Sequence, residues 1–166
     1  MNTLNFLALG FEVGQERSGL RDSYEYARQF FSYLQNYGVQ IRDQGQIIHH
    51  DPSHAKIHDP GQVELLNWSP YEQAYKKIQD LLLKNETLLN WGGDHSVALA
   101  TVGAFCSRFP EGTVIWIDAH GDINLPQHSL SGNLHGMPLS ILMNLQNIAN
   151  ESFPWIQKHL QPHQLI

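Results

Sequence analysis

Val114-Ile115-Trp116-Ile117-Asp118-Ala119-His120-Gly121-Asp122 is an apolar run that turns abruptly into alternating carboxylates and imidazole. A short apolar stretch of this kind, ended by polar residues, reads as a buried strand of a parallel sheet. Side chains at i, i+2 and i+4 of extended backbone share one face, so Asp118, His120 and Asp122 are expected to converge at the strand's carboxyl end. Two carboxylates and an imidazole without a thiolate suit a divalent cation of intermediate hardness, Mn²⁺ before Ca²⁺ or structural Zn²⁺. The competing reading is a strand-end network in which both aspartates cap the next turn and His120 bonds to backbone.

Upstream, Thr87 to Trp91 reads as another short strand, followed by Gly92-Gly93-Asp94-His95-Ser96 and a small-residue helix from Val97 to Phe109. His95 is either a ligand, with two glycines letting the backbone approach an ion, or simply the residue that opens the helix. Glycines at a helix start also bind anions, but this segment has no Walker lysine and no G-x-G-x-x-G. Nearer the N-terminus, Thr3 to Gly10 reads as a strand. Arg21 to Tyr37 carries Tyr26, Phe30, Phe31, Leu34 and Tyr37 at helical spacing, closed by Gly38, and Val39 to Ile41 starts a second strand. Ser69-Pro70-Tyr71-Glu72 predicts a capped helix start, with Ala74, Tyr75, Ile78, Leu81 and Leu82 as its buried stripe. Strands alternating with helices imply an α/β fold with a mostly parallel sheet, whose ligands gather at the carboxyl ends of the strands.

Downstream, Ser131-Gly132-Asn133-Leu134-His135-Gly136-Met137-Pro138 either presents polar groups to a ligand or is a plain turn into a helix from Leu139 to Leu145. With 166 residues and 42% hydrophobic side chains, the chain is expected to form a single domain over 1–166. A net charge of -6 without a Lys/Arg run argues against nucleic acid or an anionic membrane surface as partner and favours a small molecule. No stretch approaches the roughly 20 apolar residues of a membrane span. The N-terminus lacks a basic lead and a small-residue cleavage site, and the one cysteine, Cys106, cannot form an internal disulfide, so a cytoplasmic location is expected. Cys106 itself is expected to pack as a small hydrophobe. Of ten histidines, His49, His50, His54 and His58 fall in a polar, Pro/Gly-punctuated stretch that reads as a loop.

Gly-Gly-Asp-His-Ser at 92–96, Asp-Ala-His-Gly-Asp-Ile-Asn at 118–124 and Ser-Gly-Asn-Leu-His-Gly at 131–136 resemble, in order and spacing, the arginase branch of the ureohydrolase family. Asp43-Gln44-Gly45 is a weaker echo of the same pattern. The resemblance implies a three-layer arginase-like fold and a pair of Mn²⁺ ions. His95, Asp118 and Asp122 match ligands of one ion, Asp118 and His120 match ligands of the other, and Asp118 would bridge them. It implies hydrolysis of L-arginine to L-ornithine and urea by a metal-bridging hydroxide, with His135 as the proton-shuttling histidine. Asn124, Ser131, Gly132 and Asn133 match the segments that recognise the amino-acid end of the substrate, which favours arginine over agmatine. Homotrimers or hexamers are the family's assemblies.

The same resemblance implies that this chain carries about the first four strands of the fold and only part of the site. In the family, a second metal-binding Asp-x-Asp and the carboxylates that face the guanidinium and α-amino groups come later. The family also inserts later strands between the third and fourth strands of this segment, so a slot of about 10 Å is expected there. Phe153 to Ile166 resembles the approach to the family's fifth strand. The rival reading is a catalytically inactive remnant that binds metal weakly or associates with another chain. Agmatinase or formimidoylglutamase chemistry is the lesser alternative.

Overall fold

Phe6 and Ala8 alternate with Leu7, Leu9 and Phe11 along strand β1 (Asn2–Phe11), so this strand is apolar on both sides and needs cover on both. The computed structural model, which describes residues 2–50, 56–59, 62, 67–83, 86–148 and 152–166, supplies it in three layers. On one side, helices α1 (Ser23–Arg28) and α2 (Phe31–Asn36) set Tyr24, Ala27 and Phe31 against Phe6 and Ala8. On the other, helices α3 (Ser69–Leu82) and α4 (Ala98–Arg108) join Leu7, Leu9 and Phe11 in the main core. His54 lies outside the described residues.

The sheet is parallel, with β1 flanked by β2 (Val39–His49) and β3 (Thr87–Trp91). Its register with β2 shifts between Phe6 and Ala8, opposite the Asp43-Gln44-Gly45 turn, where Gly45 takes φ 82°. That bulge has a use. Asn5 is fully buried in the central strand, and its amide is satisfied by Gln44 Nε2 at 2.8 Å and Glu86 Oε2 at 2.9 Å.

Ala74, Tyr75, Ile78 and Leu81 form the buried inner stripe of α3, as its spacing predicts; Tyr71 joins them, and Leu82, expected in the stripe, is only half-buried. Burial of each large side chain contributes about 1.5–3 kcal/mol. The small residues of α4 permit close approach, because a Cβ at Gly103 would stand 3.6 Å from both Leu142 and Tyr75. Helix α5 (Pro138–Leu142) closes this side and is shorter than expected, since Asn144 turns left-handed at φ 54°. Among the described residues no helix is long and apolar enough to cross a membrane.

Three expectations need correction. The predicted helix from Arg21 to Tyr37 is broken at Gln29 and Phe30, whose amides bond three residues back to Tyr26 and Ala27. The break brings Phe31 onto Phe6, at 4.8 Å between ring centres, and leaves Tyr26, Phe30 and Tyr37 exposed. Ser69 is not the cap of α3; the helix starts on Trp68, without a side-chain cap, and Glu72 pairs forward with Lys76 instead. Val114 to Asp118, expected as a fourth strand separated from β3 by a slot, forms no regular ladder among the described residues. Val114 bridges Leu165 in parallel, Trp116 N–H donates to Ile166 O at 2.9 Å, and Ile115 and Ile117 remain exposed. A strand needs a neighbour for its amides, and among the described residues only 164–166 offers one here.

Candidate metal centre

Two positive-φ glycines end β3, Gly92 at 83° and Gly93 at 80°. A side chain at Gly93 would stand 2.5 Å from the Leu9 carbonyl, so the turn can pass over β1 only without one. It delivers Asp94, whose carboxylate accepts the Ser96 N–H, and then His95, the first residue of the 3₁₀ turn His95–Val97. The His95 ring is held by stacking on Trp116, 4.6 Å between centres and 20° between planes.

From the facing segment come Asp118 and Asp122. His95 Nδ1 lies 2.8 Å from Asp122 Oδ2 and 3.4 Å from Asp118 Oδ2, and one ligand atom from each of the three residues lies within 4.8 Å of the others. Strand alternation is not what brings them together. The chain bends at 119–120, and Asp122 sits in the left-handed region at φ 44°, where its carbonyl accepts the Leu139 N–H at 2.9 Å. A strained non-glycine conformation is retained where the surroundings hold it and is characteristic of functional sites. His120 departs from the expected convergence. Its side chain is 82% exposed, and its Nδ1 approaches the other oxygen of Asp118, Oδ1, at 3.4 Å. The His120 N–H donates to that oxygen at 2.9 Å, and this bond, opposed by desolvation and aided by the His95 and His120 rings, holds the Asp118 carboxyl below the usual aspartate range.

The donor set fits a divalent cation. Asp122 Oδ2 is buried and receives no well-formed hydrogen bond, although His95 Nδ1 is close. A buried acceptor facing an imidazole nitrogen, with a second carboxylate beside them, is the arrangement a cation satisfies.

One open cavity of about 610 Å³ is lined by His95, Asp118, His120, Asp122, Asn124, Ser131, Asn133 and His135. Of the expected site residues only Gly132 is outside it. That residue serves the loop from behind: at φ 69° it leaves room for the His58 ring, and an added Cβ would stand 2.6 Å from His58 Nε2. Its carbonyl accepts the Ile57 N–H at 2.7 Å and its N–H donates to Ser129 Oγ at 3.0 Å. Lys56 bridges Asn133 in antiparallel fashion and pairs with Glu16. The 56–58 segment, read from sequence as polar loop, therefore braces the 131–133 loop, and nothing in its composition signalled that. Asn124 N–H donates to Gly136 O at 3.1 Å, tying the two cavity walls together.

A family model described as "Arginase family" matches residues 3–163. The arginase of Coccidioides posadasii is 31% identical over 185 residues, covering 98% of this chain and 54% of that protein. Among solved structures, Entamoeba histolytica arginase in complex with L-ornithine superposes with a TM-score of 0.78 at 24% identity, over 99% of this chain and 56% of that one. Trypanosoma cruzi formiminoglutamase with Mn²⁺ superposes with a TM-score of 0.63 at 18% identity, over 85% of this chain and 47% of that one. At those identities the structural likeness speaks for the fold alone. The chain spans about half the length of the curated relatives it matches.

Proposed function

The chain belongs to the arginase family, a family of hydrolases, and from that premise we propose that it supplies part of the metal-binding site of an enzyme that hydrolyses L-arginine to L-ornithine and urea. The observation that carries this reading is the cluster of His95, Asp118 and Asp122 around a buried, unsatisfied carboxylate oxygen, opening on a cavity with polar walls.

His95, Asp118 and Asp122 would hold one Mn²⁺, and Asp118 with His120 would contribute to a second. When bound, such a cation pair supplies Lewis acidity, lowering the pKa of water and offsetting charge that develops at the guanidinium carbon. The chain's own residues do the rest. His135 on the cavity wall carries a proton towards the leaving amine. Asn124, Ser131 and Asn133 offer amide and hydroxyl groups to the α-carboxylate and α-amino end, and Gly132 gives their loop its shape. Recognition of that end favours arginine over agmatine, which lacks the carboxylate. We place the reaction in the cytoplasm, in keeping with the single, buried cysteine, and in a homotrimer or hexamer as in the rest of the family.

The test is metal stoichiometry on the purified, Mn²⁺-loaded chain with urea release from arginine and from agmatine followed in the same sample. The chain alone is expected to hold Mn²⁺ weakly and to release no urea, whereas the chain completed to the family's full length is expected to release urea from arginine; two tightly held ions with urea from the chain alone would overturn the partial-site reading. Agmatine turnover without arginine turnover by the completed chain would overturn the substrate assignment, and no urea from the completed chain would favour the inactive, metal-binding reading.

A further inference from the structure

Asp94 is a buried carboxylate that the proposed chemistry leaves unused, and it immediately precedes His95. It is 5% exposed, and both its oxygens are engaged. Oδ1 accepts the Ser96 N–H at 2.9 Å, and Oδ2 accepts the Gly14 N–H at 2.8 Å. The carbonyl of the same Gly14 accepts the His135 N–H at 3.0 Å. Asp94's own N–H donates to Phe11 O at 2.9 Å, so the carboxylate is anchored to the end of β1 as well. Behind it, Ser96 Oγ is 2.5 Å from the hydroxyl of Tyr71, which is wholly buried. Asp94 and His135 also share the wall of a second hollow of about 420 Å³ beside the main cavity.

We propose that Asp94 is a positioning residue for His135, acting through the Gly14 backbone. The 3₁₀ turn Leu134–Gly136 that carries His135 is a single turn and cannot fix a side chain unaided. The Gly14 carbonyl fixes it, and Gly14 is in turn held by a charge-assisted hydrogen bond, stronger than a neutral one. Gly14 must lack a side chain, because a Cβ there would collide with the Asp94 carboxylate. The relay ties the turn that carries the metal ligand His95 to the turn that carries the proton-transfer group. Proton transfer depends steeply on such placement. The role of His135 rests on the reading under Proposed function; the relay itself does not.

Hydrogen exchange of the ¹⁵N-labelled 166-residue chain reads the relay directly. Asp94→Asn keeps the shape but leaves one acceptor for two N–H groups, so the Gly14 and His135 amides are expected to exchange about tenfold faster, with a shifted His135 amide resonance. The Leu7, Leu9 and Leu99 amides are expected to keep their rates. A His135 amide that does not respond while Gly14 does would overturn the relay. If Asp94→Asn unfolds the whole chain, Gly14→Ala decides: it displaces the carboxylate from residue 14, and faster exchange at His135 supports the relay while an unchanged rate refutes it. Mn²⁺ binding in the same samples and urea release by the completed chain report on the enzymatic reading separately. Their absence beside a selective His135 response leaves the relay standing, and their presence without that response removes the relay alone.

Discussion

His95 Nδ1 and Asp122 Oδ2 meet at 2.8 Å although neither side chain is placed by regular secondary structure: a double-glycine turn delivers one and a left-handed aspartate the other. Asp122→Asn removes the negative charge while keeping the shape. Mn²⁺ affinity, measured by electron paramagnetic resonance of the free ion, is expected to fall about 100-fold, at or beyond the upper end of what outer-shell changes cost. An unchanged affinity would mean that Asp122 is not a ligand.

Gly132→Ala is expected to weaken L-ornithine binding to the Mn²⁺-loaded chain while leaving Mn²⁺ affinity unaltered. The added methyl meets His58 and forces a strained φ, at a cost of about 1–3 kcal/mol in loop geometry. Parallel calorimetric titrations with ornithine and with Mn²⁺ separate the two effects; equal losses in both would show that the loop and the metal centre are one unit.

Glu12 sets part of the acid stability. Burial works against its charge, but the amides of Arg21 and Gly19, the Arg21 guanidinium and His50 outweigh that and hold its carboxyl below the ordinary glutamate range. A carboxyl lowered on folding adds stability that is present above its unfolded pKa of about 4.3 and is lost as pH falls through the folded value. Urea unfolding of Glu12→Gln is therefore expected to show a loss of about 1.5–3 kcal/mol at pH 7 and a smaller difference from the unaltered chain below pH of about 4. A gap independent of pH would contradict this.

Cys106 is 1% exposed, and burial pushes its thiol up to about 11. Since the thiolate is the reactive form, labelling by a water-soluble alkylating reagent at neutral pH is expected to be at least about 100-fold slower in the folded chain than in denaturant. Comparable rates would show that α4 is not packed as described.

What could be read from the residues was local. The alternating apolar faces of β1, the stripe of α3 and the small residues of α4 each depend on neighbours a few positions away, and each matches the structure. Ladder formation does not: 114–118 has the composition of a strand but among the described residues makes only a bridge, Val114 to Leu165, and composition cannot express how many neighbours a strand will find. The three site motifs were recognisable through their joint family resemblance, whereas residue type alone left each of them open to a plain structural reading. The outward turn of His120 was not recognisable, since the chain bends at 119–120 and strand alternation no longer decides which way a side chain there faces. Bracing by Lys56, Ile57 and His58, and the link from Asp94 through Gly14, are tertiary contacts between polar residues and leave no periodicity to find.

The stacking of Trp116 on His95 gives the centre an optical readout of its own. Indole emission responds to the charge and spin of whatever its neighbour binds, so a paramagnetic ion on His95 should quench Trp116 first among the four tryptophans. Occupancy could then be followed by intrinsic fluorescence, without label or substrate, in any sample dilute enough to be transparent.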